Sequence, residues 1–172
     1  RGGLRLQYEV EVEEYIREAR RSIWSLRSPA LETGDLIDAL KDGADRARAG
    51  HDVAFTFEQT GTRRRLSSNV EHQLLRIGQE AMLNATRHAQ ASSIRMHLHY
   101  DPDRVTLTVS DDGRGFDTAR GPEGTTDHYG LTTMHERAQQ AGGRLTITSA
   151  PGRGTVVEAQ IHAMELPESA FG

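Results

Sequence analysis

Between Ile94 and Val109 apolar residues alternate with polar ones in two runs. Ile94, Met96 and Leu98 form one run, and Val105, Leu107 and Val109 form another. A period of two places each run on one face of a strand. Asp101-Pro102-Asp103 lies between them and has turn chemistry. The result is a hairpin with one apolar face, which needs a second layer to cover it. The same chain supplies candidate covers. Ser67 or Ser68 caps a long helix reaching about His88, with Val70, Leu74, Ile77 and Ala81 as its apolar stripe. Asp35 caps a shorter helix with Leu36, Ile37 and Leu40 on one face and Gly50 as its stop. A third helix runs from about Leu131 to Ala141, closed by Gly142-Gly143.

Further strands are expected at Asp52–Glu58, where Val53, Phe55 and Phe57 alternate, at Arg144–Ser149 and at Thr155–Ala163. The last two are joined by Pro151-Gly152-Arg153-Gly154. Short turns favour antiparallel neighbours. The expected fold is therefore α/β, a two-layer sandwich of a mixed, mostly antiparallel sheet packed on helices. A long N-terminal helix precedes it, because Tyr8, Val12, Tyr15, Ala19, Ile23 and Leu26 repeat at three- and four-residue steps. Ser28-Pro29 ends that helix. The expected organisation is a helical segment over residues 1–30, a sandwich over 31–163 and a loose tail over 164–172.

Composition narrows the chemistry. The chain has 172 residues, no cysteine and a formal net charge of -4. Disulfide frameworks, thiolate zinc sites and cysteine nucleophiles are excluded. The acidic balance and an aromatic content of 5% argue against a nucleic-acid platform. Neither a signal peptide nor a run of about 18 apolar residues is visible. The start without Met, directly in helical sequence, suggests a piece of a longer protein.

Two places carry chemistry. On the long helix Glu80 and Asn84 are four residues apart and share a face, with Arg87 and His88 one turn further on. Carboxylate and amide oxygens suit a hard cation such as Mg²⁺, while Arg87 and His88 can meet phosphate oxygens. On the helix alone, a solvated edge with an intrahelical Glu80–Asn84 contact is an equal reading. The second place is Ser110-Asp111-Asp112-Gly113-Arg114-Gly115-Phe116-Asp117, at the end of a strand. Gly113 and Gly115 allow positive φ and close backbone approach. Ionised Asp111 only accepts hydrogen bonds, which suits an exocyclic amine such as that of adenine. Neither a P-loop nor a dinucleotide fingerprint occurs. An ordinary hairpin loop or an acidic calcium-type loop is the bland alternative.

The order of these motifs carries a resemblance. Leu75-Arg76-Ile77-Gly78-Gln79-Glu80-Ala81-Met82-Leu83-Asn84-Ala85-Thr86-Arg87-His88-Ala89 resembles the N box of sensor histidine kinases, with Arg87 in place of the usual Lys. Asp111 to Phe116 is similar to their G1 box. Tyr129-Gly130-Leu131-Thr132-Thr133-Met134-His135-Glu136-Arg137-Ala138 is similar to their G2 region, and Gly152-Arg153-Gly154-Thr155 to their closing turn. This ATPase superfamily is shared with gyrase, mismatch-repair ATPases and a heat-shock chaperone.

The resemblance implies an ATP site. Asn84 would hold Mg²⁺, Asp111 would bind the adenine amine, and Gly113 and Gly115 would shape the adenine pocket. Gly130 and Leu131 would start a phosphate-facing helix, Thr155 would floor the pocket, and Arg87 and His88 would approach phosphates or ribose. Glu80 would serve catalysis, by orienting an imidazole or completing the metal shell. Residues 117–128 would form a mobile lid.

It also implies a cytoplasmic histidine kinase domain, homodimeric in the full-length protein, that phosphorylates a His on a dimerisation segment for relay to a response regulator. Neither nucleic acid nor membrane contact is expected of this stretch. The acceptor His is absent here, and residues 1–30 resemble the second helix of the dimerisation hairpin. A non-catalytic nucleotide switch or an anti-sigma-type serine kinase is the alternative. Asp127 and Thr133 depart from the family's usual glycines.

Other residues read as structural. His97 and His99 alternate on one strand face with no evident carboxylate companion. His135 reads as a surface residue, Trp24 as a bundle anchor, and Arg63-Arg64-Arg65 as a solvated turn.

Overall fold

The computed structural model describes residues 31, 34–119 and 127–163, the side chains of 127 and 128 excepted. The expected helix over residues 1–30 with Trp24, the tail over 164–172 and the centre of the expected lid lie outside the described residues.

Helix α1, Leu36–Arg48, starts where the Asp35 carboxylate accepts from the Ile37 N–H at 3.4 Å. Asp38 in its first turn and Arg46 and Arg48 in its last complement the helix dipole. Strand β1, Ala54–Gly61, follows. Helix α2, Ser68–Arg87, is capped by Ser67, whose Oγ accepts from the Val70 N–H at 3.3 Å. Strands β2, Ser93–Asp101, and β3, Arg104–Asp111, make the hairpin. Helix α3 spans Asp127–Gln140, and β4, Gly143–Ser149, and β5, Thr155–His162, close the fold.

The five strands lie in the order β1-β2-β3-β5-β4. Only β1 and β2 run parallel, because α2 carries the chain back between them. The other three pairs are antiparallel. The mixed, mostly antiparallel sheet on helices is thus as expected. The inward residues of β2, β3 and β5 include Ile94, Met96, Leu98, Val105, Leu107, Ala159 and Ile161, all 1% exposed or less. They meet Leu74, Ile77 and Met82 of α2 and Leu36 and Leu40 of α1 in one core. Burying a side chain of this size contributes about 1.5–3 kcal/mol. Gly78 lets the Leu40 side chain approach α2: a Cβ there would lie 2.6 Å from a Leu40 methyl carbon.

Two structural readings change. In the arginine run Arg63 and Arg65 are exposed, as a solvated turn requires, but Arg64 is half-buried. Arg63 pairs with Asp35, and Arg64 Nη2 donates to the carbonyls of Ala163 at 2.7 Å and Arg104 at 3.2 Å. The guanidinium also lies 6.0 Å from the Tyr100 ring centroid. The start of β3 and the residue after β5 thereby share one planar donor. His97 and His99 share the Thr60 hydroxyl, 2.7 Å from each ring, and His99 Nε2 has a carboxylate companion in Asp101 at 3.1 Å. Among the described residues, no group of three or more His, Cys, Asp or Glu could hold a metal ion. His135 is exposed, as expected.

Candidate functional site

The β3 end, the β4–β5 turn and the segment after α2 converge. Asp111 is the last residue of β3 and stands opposite Thr155, the first of β5. Its Oδ1 accepts from the Gly113 N–H at 2.8 Å, and the Thr155 backbone N–H also donates to the carboxylate. A carboxylate has about four acceptor positions, so capacity remains for a ligand donor. Burial pushes its pKa up, and the two N–H donors only partly oppose this.

Asp112 does different work. Its Oδ1 accepts from the Ser92 and Ser93 N–H groups at 2.8 and 2.9 Å, and these bonds hold its pKa below the ordinary value. Arg114 N–H donates to the Ala89 carbonyl at 2.8 Å. The acidic loop is therefore laced to the segment that follows α2.

The glycines explain the close fit. Gly113 is buried and has no positive φ; a Cβ there would lie 2.5 Å from Ala89 Cβ. Its need is space against Ala89, not the conformational freedom expected from sequence. Gly115 does have φ +60, and its Cβ would strike the Ala150 carbonyl oxygen. The Gly152 N–H meets the Arg114 carbonyl at 2.6 Å. Ser149 completes the knot: its Oγ accepts from Phe116 N–H at 2.9 Å, donates to the Gly154 carbonyl at 3.0 Å and lies 2.9 Å from Thr155 Oγ1.

Across the site, Glu80 and Asn84 are half-buried on α2. Arg87 is the last residue of that helix and His88 its C-cap; both are exposed. Gly130 is not a helix start. Helix α3 begins at Asp127, so Gly130 and Leu131 lie within it. The first four N–H groups, which lack intrahelical partners, belong to residues 127–130. A glycine inside a helix costs only about 1 kcal/mol, and here it admits a neighbour. A Cβ on Gly130 would collide with a Glu80 carboxylate oxygen. Glu80 and Gly130 are thus packed together, which spacing along the sequence does not disclose.

Beside Glu80 a shallow cavity opens between α2 and α3, lined among others by Arg76, Gln79, Leu83, Thr133 and Arg137. Thr133 faces this cavity. Arg76 and Arg137 make the side cationic; with burial as the main cause, they lower the His72 pKa. Ser149 had no distinct signal in the sequence, and Asp112, Arg76 and Arg137 stood inside the quoted motifs without a role of their own, because polar residues on strand ends and helix faces usually face water.

The Asp111 carboxylate offers acceptor positions of the kind the amine of a planar base needs, and the start of α3 is a helix N-terminus, which favours negative charge. Residues 69–165 match the family described as "Histidine kinase-, DNA gyrase B-, and HSP90-like ATPase". The chain is 32% identical over 146 residues to the signal transduction histidine-protein kinase/phosphatase DegS of Brevibacillus brevis, covering 85% of this chain and 37% of that protein. It is 34% identical over 154 residues to the nitrate/nitrite sensor protein NarQ of Escherichia coli K12, covering 89% and 26%.

Among solved structures, the blue-light activated histidine kinase of Erythrobacter litoralis EL346 shares the fold at TM-score 0.64 and 20% identity, over 87% of this chain and 49% of that one. The mycobacterial sensor histidine kinase MprB does so at TM-score 0.60 and 17% identity, over 77% and 97%. This chain spans between a quarter and two fifths of those two curated relatives. The family match covers more than half of the chain and falls on the elements that build the site, so the chain belongs to the histidine kinase-, DNA gyrase B- and HSP90-like ATPase family.

Proposed function

We propose that this chain is the ATP-binding catalytic domain of a sensor histidine kinase. The observation that carries the reading is Asp111: a half-buried acceptor, oriented by the Gly113 and Thr155 N–H groups, at the sheet end beside α2. An amine on a flat base is the partner such a group selects, since it has no donor of its own when ionised. Gly113, Gly115 and Thr155 form the surrounding wall. Residues 127–130 and Leu131 at the start of α3 face the phosphates, and Arg87 and His88, exposed at the end of α2, approach the phosphates or ribose.

Asn84 provides an amide oxygen of the kind that Mg²⁺ takes. Such ions usually bind one or two protein groups and complete their shell with water and phosphate oxygens, so a fuller protein cage is not required. Bound Mg²⁺ supplies charge neutralisation on the phosphates. The imidazole of an acceptor His on a partner helix attacks the γ-phosphorus. A P–N bond forms, the P–O bond to ADP breaks with its electron pair leaving on the ADP oxygen, and the ring N–H proton passes to water. Glu80, packed on Gly130 at the cavity, orients that imidazole.

Residues 1–30 then form the second helix of a dimerisation hairpin, residues 31–163 the catalytic domain and residues 164–172 a tail. The full-length protein is a cytoplasmic-facing homodimer, and the phospho-His donates to an Asp of a response regulator. The described residues contain no helix long and apolar enough to cross a membrane. The test is titration of a fluorescent ATP analogue with and without Mg²⁺, followed by addition of a phosphoacceptor hairpin and a search for acid-labile phosphate. Saturable, Mg²⁺-enhanced binding with transfer supports the kinase. Binding without transfer to any hairpin would point to a nucleotide switch instead.

A further inference from the structure

Helices α2 and α3 touch at two separated places. Glu80 meets Gly130 at one, and Gln73 meets Arg137 and Gln140 at the other. Seven residues forward on α2 thus correspond to seven or ten backward on α3, so the helices are antiparallel. The second contact is a buried polar clamp. Gln73 is 8% exposed. Its Oε1 accepts from Arg137 Nη1 at 3.2 Å, and its Nε2 donates to Gln140 Oε1 at 3.3 Å and Asn69 Oδ1 at 3.4 Å. Asn69 Nδ2 in turn donates to the Gln140 backbone carbonyl at 3.1 Å, at the end of α3.

The apolar contacts of α3 do not define its axial position sharply. Within α3 the buried apolar side chains are Met134 and Ala138, one flexible and one small, with Leu131 partly buried against the core and Ala141 just past the helix end. Sliding by one residue moves a helix about 1.5 Å. Hydrogen bonds tolerate far less, so the clamp selects one register.

We propose that Gln73 is a positioning residue for phosphate recognition. It sets how far the N-terminal end of α3 reaches toward the ligand, about 10 Å away along the helix, without touching that ligand. The proposal rests on the ATP reading above.

The test measures dissociation constants of the 172-residue chain for Mg²⁺-ATP and Mg²⁺-ADP by calorimetry and for AMP by competition. Wild type is compared with Gln73→Leu, Gln73→Glu and Gln140→Ala. Gln73→Leu should weaken ATP roughly tenfold, since a displacement of about 1 Å can cost up to a hundredfold at a reacting centre. The loss should shrink for ADP and vanish for AMP. Gln73→Glu keeps an acceptor for Arg137 and should recover most of the ATP affinity. Gln140→Ala alters an exposed residue, so it keeps the question open to decision should Gln73→Leu fail to fold; a smaller loss with the same phosphate dependence is expected. Equal weakening of all three nucleotides, or no change in any variant, overturns the proposal and leaves the ATP site intact. If wild type binds no nucleotide, the ATP reading fails first and the proposal with it.

Discussion

The two ends of the site are built differently. At the Asp111 end, groups are held by main-chain contacts: strand register sets Asp111 opposite Thr155, Asp112 takes two backbone N–H groups, and Gly152 N–H meets the Arg114 carbonyl. At the α3 end, contacts run through side chains, with Glu80 on Gly130 and Gln73 on Arg137 and Gln140. Main-chain knots leave few alternative arrangements. Side-chain contacts between helices can be remade at modest cost, because each net hydrogen bond contributes only about 0.5–1.5 kcal/mol. One end is fixed by the backbone itself, and the other by side chains that a single substitution can alter.

The sharpest break is Asp111→Asn. An amide can turn a donor toward the ligand amine, and a site built for one hydrogen-bond pattern rejects its mismatch strongly. Nucleotide affinity should fall at least about a hundredfold with the thermal midpoint nearly unchanged, read by fluorescent-analogue titration and a melting curve. An unchanged affinity would remove Asp111 from the site. Next in size is Gly115→Ala. It forces a side chain to φ +60 and against the Ala150 carbonyl. The cost is about 2–4 kcal/mol, a fall of the melting midpoint on the order of 10 °C, and calorimetry checks it. The comparable change on the other side, Gly130→Ala, meets a carboxylate that can swing. It should cost less stability and more phosphate affinity than Gly115→Ala, or the contrast between the ends is wrong.

Acid separates Asp111 from its neighbour. The folded pKa of Asp111 is raised, chiefly by burial. Only the ionised form accepts from the amine, so binding present at neutral pH is lost as pH falls, and lost at a higher pH than an exposed Asp would give. Affinity against pH at constant ionic strength shows this. Asp112 has the opposite sign. Its pKa is lowered by the Ser93 and Ser92 N–H groups, so its stabilisation is present above the unfolded value of 3.8 and disappears as pH falls through the lower folded one. Asp112→Asn should flatten the melting midpoint below about pH 4; an equally steep acid loss in the variant would rule out this contribution. The smallest effect is expected from Lys41→Ala, which removes a cation 5.1 Å from the Phe57 ring centroid, remote from both ends. About 0.5–1 kcal/mol of stability should go, with nucleotide affinity unaffected.

Much of this was legible in one dimension. Period-two alternation located β2 and β3, and Asp35 and Ser67 announced the starts of α1 and α2. Asp111, Glu80 and Asn84 stood out because their residue types interrupt an apolar pattern. Boundaries set by glycine were less secure. Gly130 looked like the start of a helix, yet α3 begins three residues earlier, because the glycine serves a contact with Glu80. Gly113 looked like a positive-φ position but is a space for Ala89. A glycine records only that a side chain is absent, and whether φ or a neighbour demands it depends on the folded surroundings.

The sequence by itself determined the two-layer architecture, the motif order and the residue types that suit a base amine and a metal-bound phosphate, because periodicity and side-chain chemistry are local properties. Tertiary structure alone decided that Thr155 would donate to Asp111, that Glu80 would lie on Gly130, and that Gln73 would bridge to Arg137, 64 residues away in the chain. Those contacts follow from strand register and helix packing, which depend on the whole core being formed at once.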